Sequence, residues 1–336
     1  MEKIVVVLII IIIVIYLFCI ICSLFLWIDL NTVKTSLSFS NKYLLNKYNF
    51  NPSMVVYNVQ TKLFSYNITT YDGSERICMI YRSSNFPTKS KNSMVFIELD
   101  VYNYNFVNTD KQYALTSDEY KEDPRLIVGD SGKQLYIAFT TSIVDSNDFP
   151  ITQKQSISKL HWTHSDLSDI KMGDIQTMEN VPGNENYTTW EKNWGFFEKN
   201  HNLFAVYSVT PFIIYKINNY NDFTEIVNEN WTNDIVLRGS CPPLLINDMY
   251  YMVCHTPTYI PFIIAFDKDT LRLSKISKNK LCHNCHGDTI YFPCGCLYDL
   301  QSDELILSSG IDDKSIRIDR FKMNTLIYVN VNQKIK

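Results

Sequence analysis

Alanine is almost missing from this chain. Its 336 residues hold four, at Ala114, Ala138, Ala205 and Ala265, against 22 tyrosines and 19 phenylalanines. Alanine is the strongest helix former, whereas aromatic and β-branched residues suit pleated, half-buried surfaces. The composition therefore argues against a mainly helical domain and for an all-β one. After residue 50 there is no Pro/Gly/Ser-rich linker and no block of like charge, so that region reads as one folded domain. The net charge is −4 and no basic stripe is present, which argues against a nucleic-acid partner. Also missing are a Gly-rich phosphate loop, a Gly-x-Ser-x-Gly elbow and a His-Glu-x-x-His pair, and with them the chemistries those motifs support.

What the N-terminus lacks is charge. Ile4 to Ile28 runs 25 positions without a charged residue, enough as a helix to cross a hydrocarbon core of about 30 Å. A cleaved signal peptide is the alternative, but the apolar run is too long for one, and Ser23-Leu24-Phe25-Leu26-Trp27 offers no small-x-small cleavage site. The expectation is a retained single transmembrane helix at 4–28 behind a cytosolic tip at 1–3, a stalk at 29–50, and a folded domain at 51–336. Lys3 and the α-amino group oppose Glu2 on one side and Asp29, Lys34 and Lys42 follow on the other, so the positive-inside signal is weak. Three glycosylation triplets, beginning at Asn67, Asn186 and Asn230, lie beyond the span. Together with the short tip they favour a type II, single-pass orientation with the domain lumenal or extracellular.

What is present in that domain is a repeat. A conspicuous cluster, an apolar strand, a polar turn and a second strand recur four times. Asp123-Pro124-Arg125 leads into Leu126-Ile127-Val128 and, past Gly129 to Lys133, Leu135 to Phe139. Glu191-Lys192-Asn193-Trp194 leads into Gly195-Phe196-Phe197 and Leu203 to Tyr207, with a turn at Lys199 to Asn202. Arg238 to Pro243 leads into Leu244-Leu245-Ile246 and Tyr250 to His255, across Asn247-Asp248. Tyr291-Phe292-Pro293 leads into Cys296-Leu297-Tyr298 and Leu305-Ile306-Leu307, then Gly310-Ile311-Asp312-Asp313. The repeat length of about 50 to 70 residues suits one four-stranded blade per unit. Three more strand-like runs between Met54 and Phe106 make one further blade. The expected fold is an all-β, five-bladed β-propeller.

Seven cysteines lie beyond the apolar run. Cys282 and Cys285, followed by Cys294 and Cys296, have the spacing of a four-thiolate zinc site, with His283 and His286 as substitutes. Disulfides bracing the last blade, or unlinked thiols, are the other two readings, and an oxidising compartment favours disulfides.

In a propeller the innermost strands converge on a central channel, so charged residues that open successive blades can meet at one ligand. Asp123 is the candidate acid or base, although Asp before Pro is also a common turn opener. Arg125, Lys192 and Arg238 recur at equivalent blade positions and suit phosphate or carboxylate oxygens. His255 stands at a strand end and could donate to an anion or sugar hydroxyl. Trp194, with Tyr207, Tyr215, Trp162 and Tyr291, offers an aromatic face for the apolar side of a sugar ring.

Glu122-Asp123-Pro124-Arg125, Glu191-Lys192-Asn193-Trp194, Arg238 to Pro243, His255, Phe292-Pro293 and Gly310-Ile311-Asp312-Asp313 resemble, in order, the landmarks of five-bladed-propeller carbohydrate enzymes. The similarity is to the β-mannoside phosphorylases and hydrolases of glycoside hydrolase family 130 and related glycosyltransferases, over about residues 120 to 315. It implies that Asp123 is the proton donor to a glycosidic oxygen. It also implies that Glu122, Arg125, Glu191, Lys192, Trp194, Arg238, His255, Asp312 and Asp313 surround the sugar or phosphate. Where the related pattern reads Gly-Gly-Thr-Pro this chain has Gly239-Ser240-Cys241-Pro242, a departure in one wall of the site. The resemblance implies no cofactor, with inorganic phosphate or a sugar phosphate as the co-substrate of a phosphorolytic member. The expected function is a membrane-anchored enzyme transferring, hydrolysing or phosphorolysing mannosides or similar glycans. The alternative is a non-catalytic glycan-binding or receptor propeller displayed on a membrane.

Overall fold

Short polar turns divide the chain into antiparallel hairpins. In one of the two-residue turns Lys199 pairs with Asn202, and the residues between, Asn200 and His201, have φ of 51° and 58°. Positive φ at both central positions matches the twist of the flanking strands, and asparagine tolerates it better than most residues. Gly132, at φ 69°, opens the turn after Val128 so that its carbonyl accepts from Phe64 N–H. The computed structural model describes residues 48–84, 93–102, 105–116, 120–146, 150–182, 192–231, 235–281 and 290–331.

These hairpins form five sheets. The first contains β1 (Tyr48–Asn58), β2 (Leu63–Ser65), β4 (Asp72–Ser84), β5 (Ser93–Tyr102) and β6 (Asn105–Ala114), in the order β2-β1-β4-β5-β6. The second runs β7 (Lys121–Val128), β8 (Leu135–Val144), β9 (Pro150–His161) and β10 (Lys171–Thr177); the third runs β11 (Gly195–Lys199), β12 (Asn202–Ser208), β13 (Phe212–Asn219) and β14 (Asp222–Glu229). In the fourth, β15 (Arg238–Gly239) and β16 (Leu244–Ile246) both pair with β17 (Met249–His255), followed by β18 (Pro261–Asp267), β19 (Leu273–Ser277) and a late strand, β23 (Tyr328–Asn330). The fifth holds β20 (Tyr291–Asp299), β21 (Glu304–Ile311) and β22 (Ser315–Lys322), with β3 (Asn67–Ile68) added in parallel beside β20.

The core shows how the sheets are arranged. Each hydrophobic cluster lies between two sheets rather than within one. Val55 and Phe96 meet Leu126 and Phe139 between the first and second; Ile127 and Ala138 meet Phe196 and Ala205 between the second and third. Phe197 and Phe212 meet Met252 and Phe266 between the third and fourth, and Leu244 and Val253 meet Leu305 and Leu307 between the fourth and fifth. Met54 and Ile77 meet Leu297 and Ile306 between the first and fifth, which closes the ring. The fold is a five-bladed propeller, as the repeat predicts. Polar contacts reinforce the closure: Ser308 Oγ donates to the Pro52 carbonyl at 2.7 Å and Tyr71 donates to Asp299. The Asp299 side chain is fully buried, and Arg320 reaches it at 3.3 Å and Glu304 at 3.1 Å.

The expected transmembrane helix at 4–28 and most of the expected stalk lie outside the described residues. Strand β1 begins at Tyr48, so 48–50 belong to the first blade rather than to a stalk. Among the described residues no helix is long and apolar enough to cross a membrane. Disulfides do not brace the described part of the last blade, because Cys78, Cys241, Cys254, Cys294 and Cys296 are all buried free thiols. Of the glycosylation candidates, Asn67 is half-buried in β3, Asn230 is exposed, and Asn186 lies outside the described residues.

Candidate functional site

Two irregularities in neighbouring inner strands set the site. The pairing of β7 with β8 slips between Glu122 and Arg125, and Asp123, within that bulge, has φ 53°. A bulge re-aims side chains and tolerates proline, which here is Pro124. The pairing of β1 with β4 slips between Phe50 and Ser53, and Asn51 there has φ 54°. The two left-handed residues face each other: Asn51 Nδ2 donates to Asp123 Oδ1 at 2.5 Å. Strained, non-glycine backbone of this kind concentrates where a side chain must be held in one place.

Around Asp123 lies a cavity of about 120 Å³ to which all five blades contribute. The first supplies Asn51 and Arg82, the second Glu122 and Asp123, and the residues leading into the third Lys192 and Asn193. The fourth supplies Arg238, its register partner His255, and Tyr259; the fifth supplies Ile290, Phe292 and Asp313. Three carboxyl groups and three cations thus share one small space. A second cavity of about 380 Å³ shares Lys192, Asn193 and Arg238 with it and runs past Tyr207, Ser208 and Thr210. Gly239 makes this wall possible, since a Cβ there would stand 2.1 Å from the Asn193 carbonyl oxygen.

The charges are not equivalent. Burial raises the Glu122 carboxyl above the usual range; Arg82, 3.8 Å away, opposes the rise and the neighbouring Asp123 adds to it. Asp313 is likewise raised by burial, against Arg82 and with Asp123 and Asp312. His255, 1% exposed, is pushed down to about 3 by burial first and then by Arg125 and Arg238. It is therefore neutral at ordinary pH. Its Nδ1 shares a hydrogen bond with Ser240 Oγ, and its ring lies parallel to Tyr259 at 5.4 Å and edge-on to Phe292 at 5.1 Å. The neutral ring has one N–H and one acceptor nitrogen: where Ser240 donates to Nδ1, Nε2 is a donor, and where Nδ1–H donates to Ser240, Nε2 is an acceptor.

Of the residues named from sequence, Glu122, Asp123, Lys192, Arg238, His255 and Asp313 come together in the smaller cavity. Arg125 does not line it. It is 5% exposed, and its guanidinium donates to the Ser240 carbonyl at 2.6 Å and the Pro124 carbonyl at 3.2 Å, with the Phe292 ring 5.2 Å away. Arg125 thus ties the second blade to the fourth. Trp194 is 2% exposed and packs against Phe196 and Tyr207 in the core between the second and third blades, so it presents no face to a sugar. Asp312 accepts from Ile290 N–H and returns its own N–H to the Ile290 carbonyl, which holds the loop beside the cavity. Glu191, Cys282 and Cys285 lie outside the described residues. Cys294 and Cys296 are buried in β20, where burial pushes the Cys294 thiol up, and among the described residues no group of side chains could hold a metal.

Asn51, Arg82, Tyr259 and Ile290 line the cavity without having been named from sequence, and Asn193 was named only as part of a landmark. Two of them carried a signal. Asn51-Pro52 is a turn dipeptide just ahead of the apolar run that starts at Met54, and Arg82 is a cation directly after the apolar run Ile77–Tyr81.

No protein-family model matches the chain, and no curated protein matches it in sequence. Solved structures do share its fold. A glycosyl hydrolase from Bacteroides ovatus is similar at a TM-score of 0.53 and 10% identity, over 90% of this chain and 94% of the hydrolase. A candidate glycosidase from Bacteroides thetaiotaomicron is similar at 0.50 and 11%, over 88% and 94%. A mannose phosphorylase from Leishmania mexicana, in complex with phosphate, lies further off at 0.48 and 8% identity, over 87% and 92%, too distant to argue from. At such identities the likeness is one of fold, and function must be argued from the site.

Proposed function

We propose that this chain is a carbohydrate-active enzyme acting on mannosides or similar glycans, with Asp123 as its general acid or base. One observation carries the reading: residues from all five blades, far apart in sequence, surround one cavity holding the Asp123 carboxyl and the cations Arg82, Lys192 and Arg238. Asp123 gives its proton to the glycosidic oxygen as the bond to the sugar breaks. In the reverse sense the same carboxylate takes the proton of an acceptor hydroxyl, so it serves hydrolysis, phosphorolysis or transfer. Lys192 and Arg238 stand where they steady an anionic oxygen, of phosphate or of a sugar phosphate. The neutral His255 contributes a hydrogen bond rather than a charge. Glu122 and Asp313 complete the set of carboxyl groups around the cavity and suit recognition of sugar hydroxyls. In the same reading the apolar run Ile4 to Ile28 anchors the enzyme in a membrane, with the propeller on the lumenal or extracellular side.

The test is to incubate the purified protein with a panel of mannosides, with and without inorganic phosphate. Release of free sugar or of sugar phosphate is the expected result, and phosphate dependence separates phosphorolysis from hydrolysis. Saturable glycan binding with no turnover under any condition would favour a display propeller instead.

A further inference from the structure

We propose that Asn51 is the positioning residue of this site: its amide holds the Asp123 carboxyl in the orientation from which the proton is exchanged. The role rests on the reading of Asp123 given above.

Asn51 reaches Asp123 from another blade, across 72 positions of sequence, and is 3% exposed. Its N–H occupies Oδ1, so proton exchange falls to Oδ2. Both ends of this hydrogen bond are anchored in left-handed backbone at bulges, which leaves neither side chain much freedom to swing. The fifth blade makes room for the amide at Gly310. A Cβ on that residue would stand 2.2 Å from Asn51 Oδ1 and 2.8 Å from its backbone nitrogen. One strand thus omits a side chain so that the amide of another fits.

Asn51 Oδ1 is buried with no hydrogen-bond partner among the described residues. Asn67 Oδ1 and Gln153 Oε1 are buried in the same way, so the distinction of Asn51 lies in where its N–H goes: across two blades, to the one carboxyl group at the centre of the cavity.

Two variants of the full-length protein test this. Asn51→Gly accepts the left-handed backbone but removes the amide; Asn51→Asp keeps the size and the backbone tolerance but exchanges the amide donor for a second carboxyl group that competes with Asp123 for one proton. The expected result for both is a kcat lower by about 100-fold with KM within about threefold of wild type. A residue with only an architectural role would reduce the amount of folded protein and leave the kcat of the folded remainder at the wild-type value. Wild-type kcat in Asn51→Gly overturns the proposal, and if that variant does not fold, the same result in Asn51→Asp does so. Failure of both variants to fold would make Asn51 architectural and overturn it equally. Turnover by the wild type alongside an unimpaired variant overturns the positioning role alone, whereas a wild type without turnover overturns the reading of Asp123 itself.

Discussion

His255 makes acid a specific threat to this fold. In the folded chain it is 1% exposed, faces the cations Arg125 and Arg238, and is held down to about 3, against 6.5 for an ordinary histidine. The unfolded chain therefore binds a proton near pH 6.5 that the folded chain refuses until about pH 3. Stability associated with this group is fully present above pH 6.5 and is lost as pH falls from there toward 3. Between pH 7 and pH 5 the loss is about 2 kcal/mol, taking about 1.4 kcal/mol for each pH unit below 6.5. The value is insensitive to the low folded figure, because pH 5 lies well above it. Glu122 and Asp313, raised by burial, act in the opposite direction as pH falls. They are present in both proteins of the comparison and cancel. Urea unfolding followed by tryptophan fluorescence, at pH 7, 6 and 5, should show wild type losing about 2 kcal/mol more than His255→Asn. The variant starts from a lower stability but keeps a polar group near Ser240 Oγ and has nothing to titrate there. Parallel stability curves for the two proteins would refute the argument and place His255 in a wetter, less cationic setting than the structure shows.

Arg125→Lys should cost about 2 kcal/mol in the same unfolding assay, because a lysine cannot reproduce the fork that spans the Ser240 and Pro124 carbonyls beneath Phe292. A change under about 0.5 kcal/mol would restore Arg125 to the list of candidate ligand contacts. Arg320→Ala should be more damaging, about 3 to 5 kcal/mol, since it leaves the fully buried Asp299 carboxylate without its cation, although Glu304 keeps Lys322 at 3.3 Å. Thermal unfolding of the variant close to that of wild type would contradict this.

Much of the ring was legible because its hairpins are announced locally. Gly129 to Lys133, Asn200-His201 and Asn247-Asp248 are turn sequences, and the strands they join are the apolar runs that the repeat marks out. The first blade was harder to read, since the bulge at Asn51-Pro52 interrupts β1 and the short β2 and β3 have no period of their own. Nothing in three residues could show that β23 returns to the fourth sheet rather than the fifth. At the site, Arg125 was misplaced for a physical reason. Strict strand alternation puts Asp123 and Arg125 on one face, but the bulge between Glu122 and Arg125 breaks that alternation. Glu122 and Asp123 both reach the cavity as a result, and Arg125 turns into the joint between blades. Trp194 illustrates a more general limit: in a chain with so many aromatics, sequence does not separate a sugar platform from core, and this ring belongs to the core. Arg82, a cation after an apolar run, could have been singled out but not placed, and Tyr259, at φ 61°, acquires meaning only once the blades have closed.

The most direct test of the account is Asp123→Asn, measured for turnover and for glycan binding on the same preparation. If Asp123 exchanges the proton at the glycosidic oxygen, turnover should fall by about 100- to 10,000-fold while the dissociation constant for the glycan changes by less than about threefold. Turnover at the wild-type rate would show that the carboxyl group at the meeting point of the five blades is not the acid, and would contradict the account at its centre.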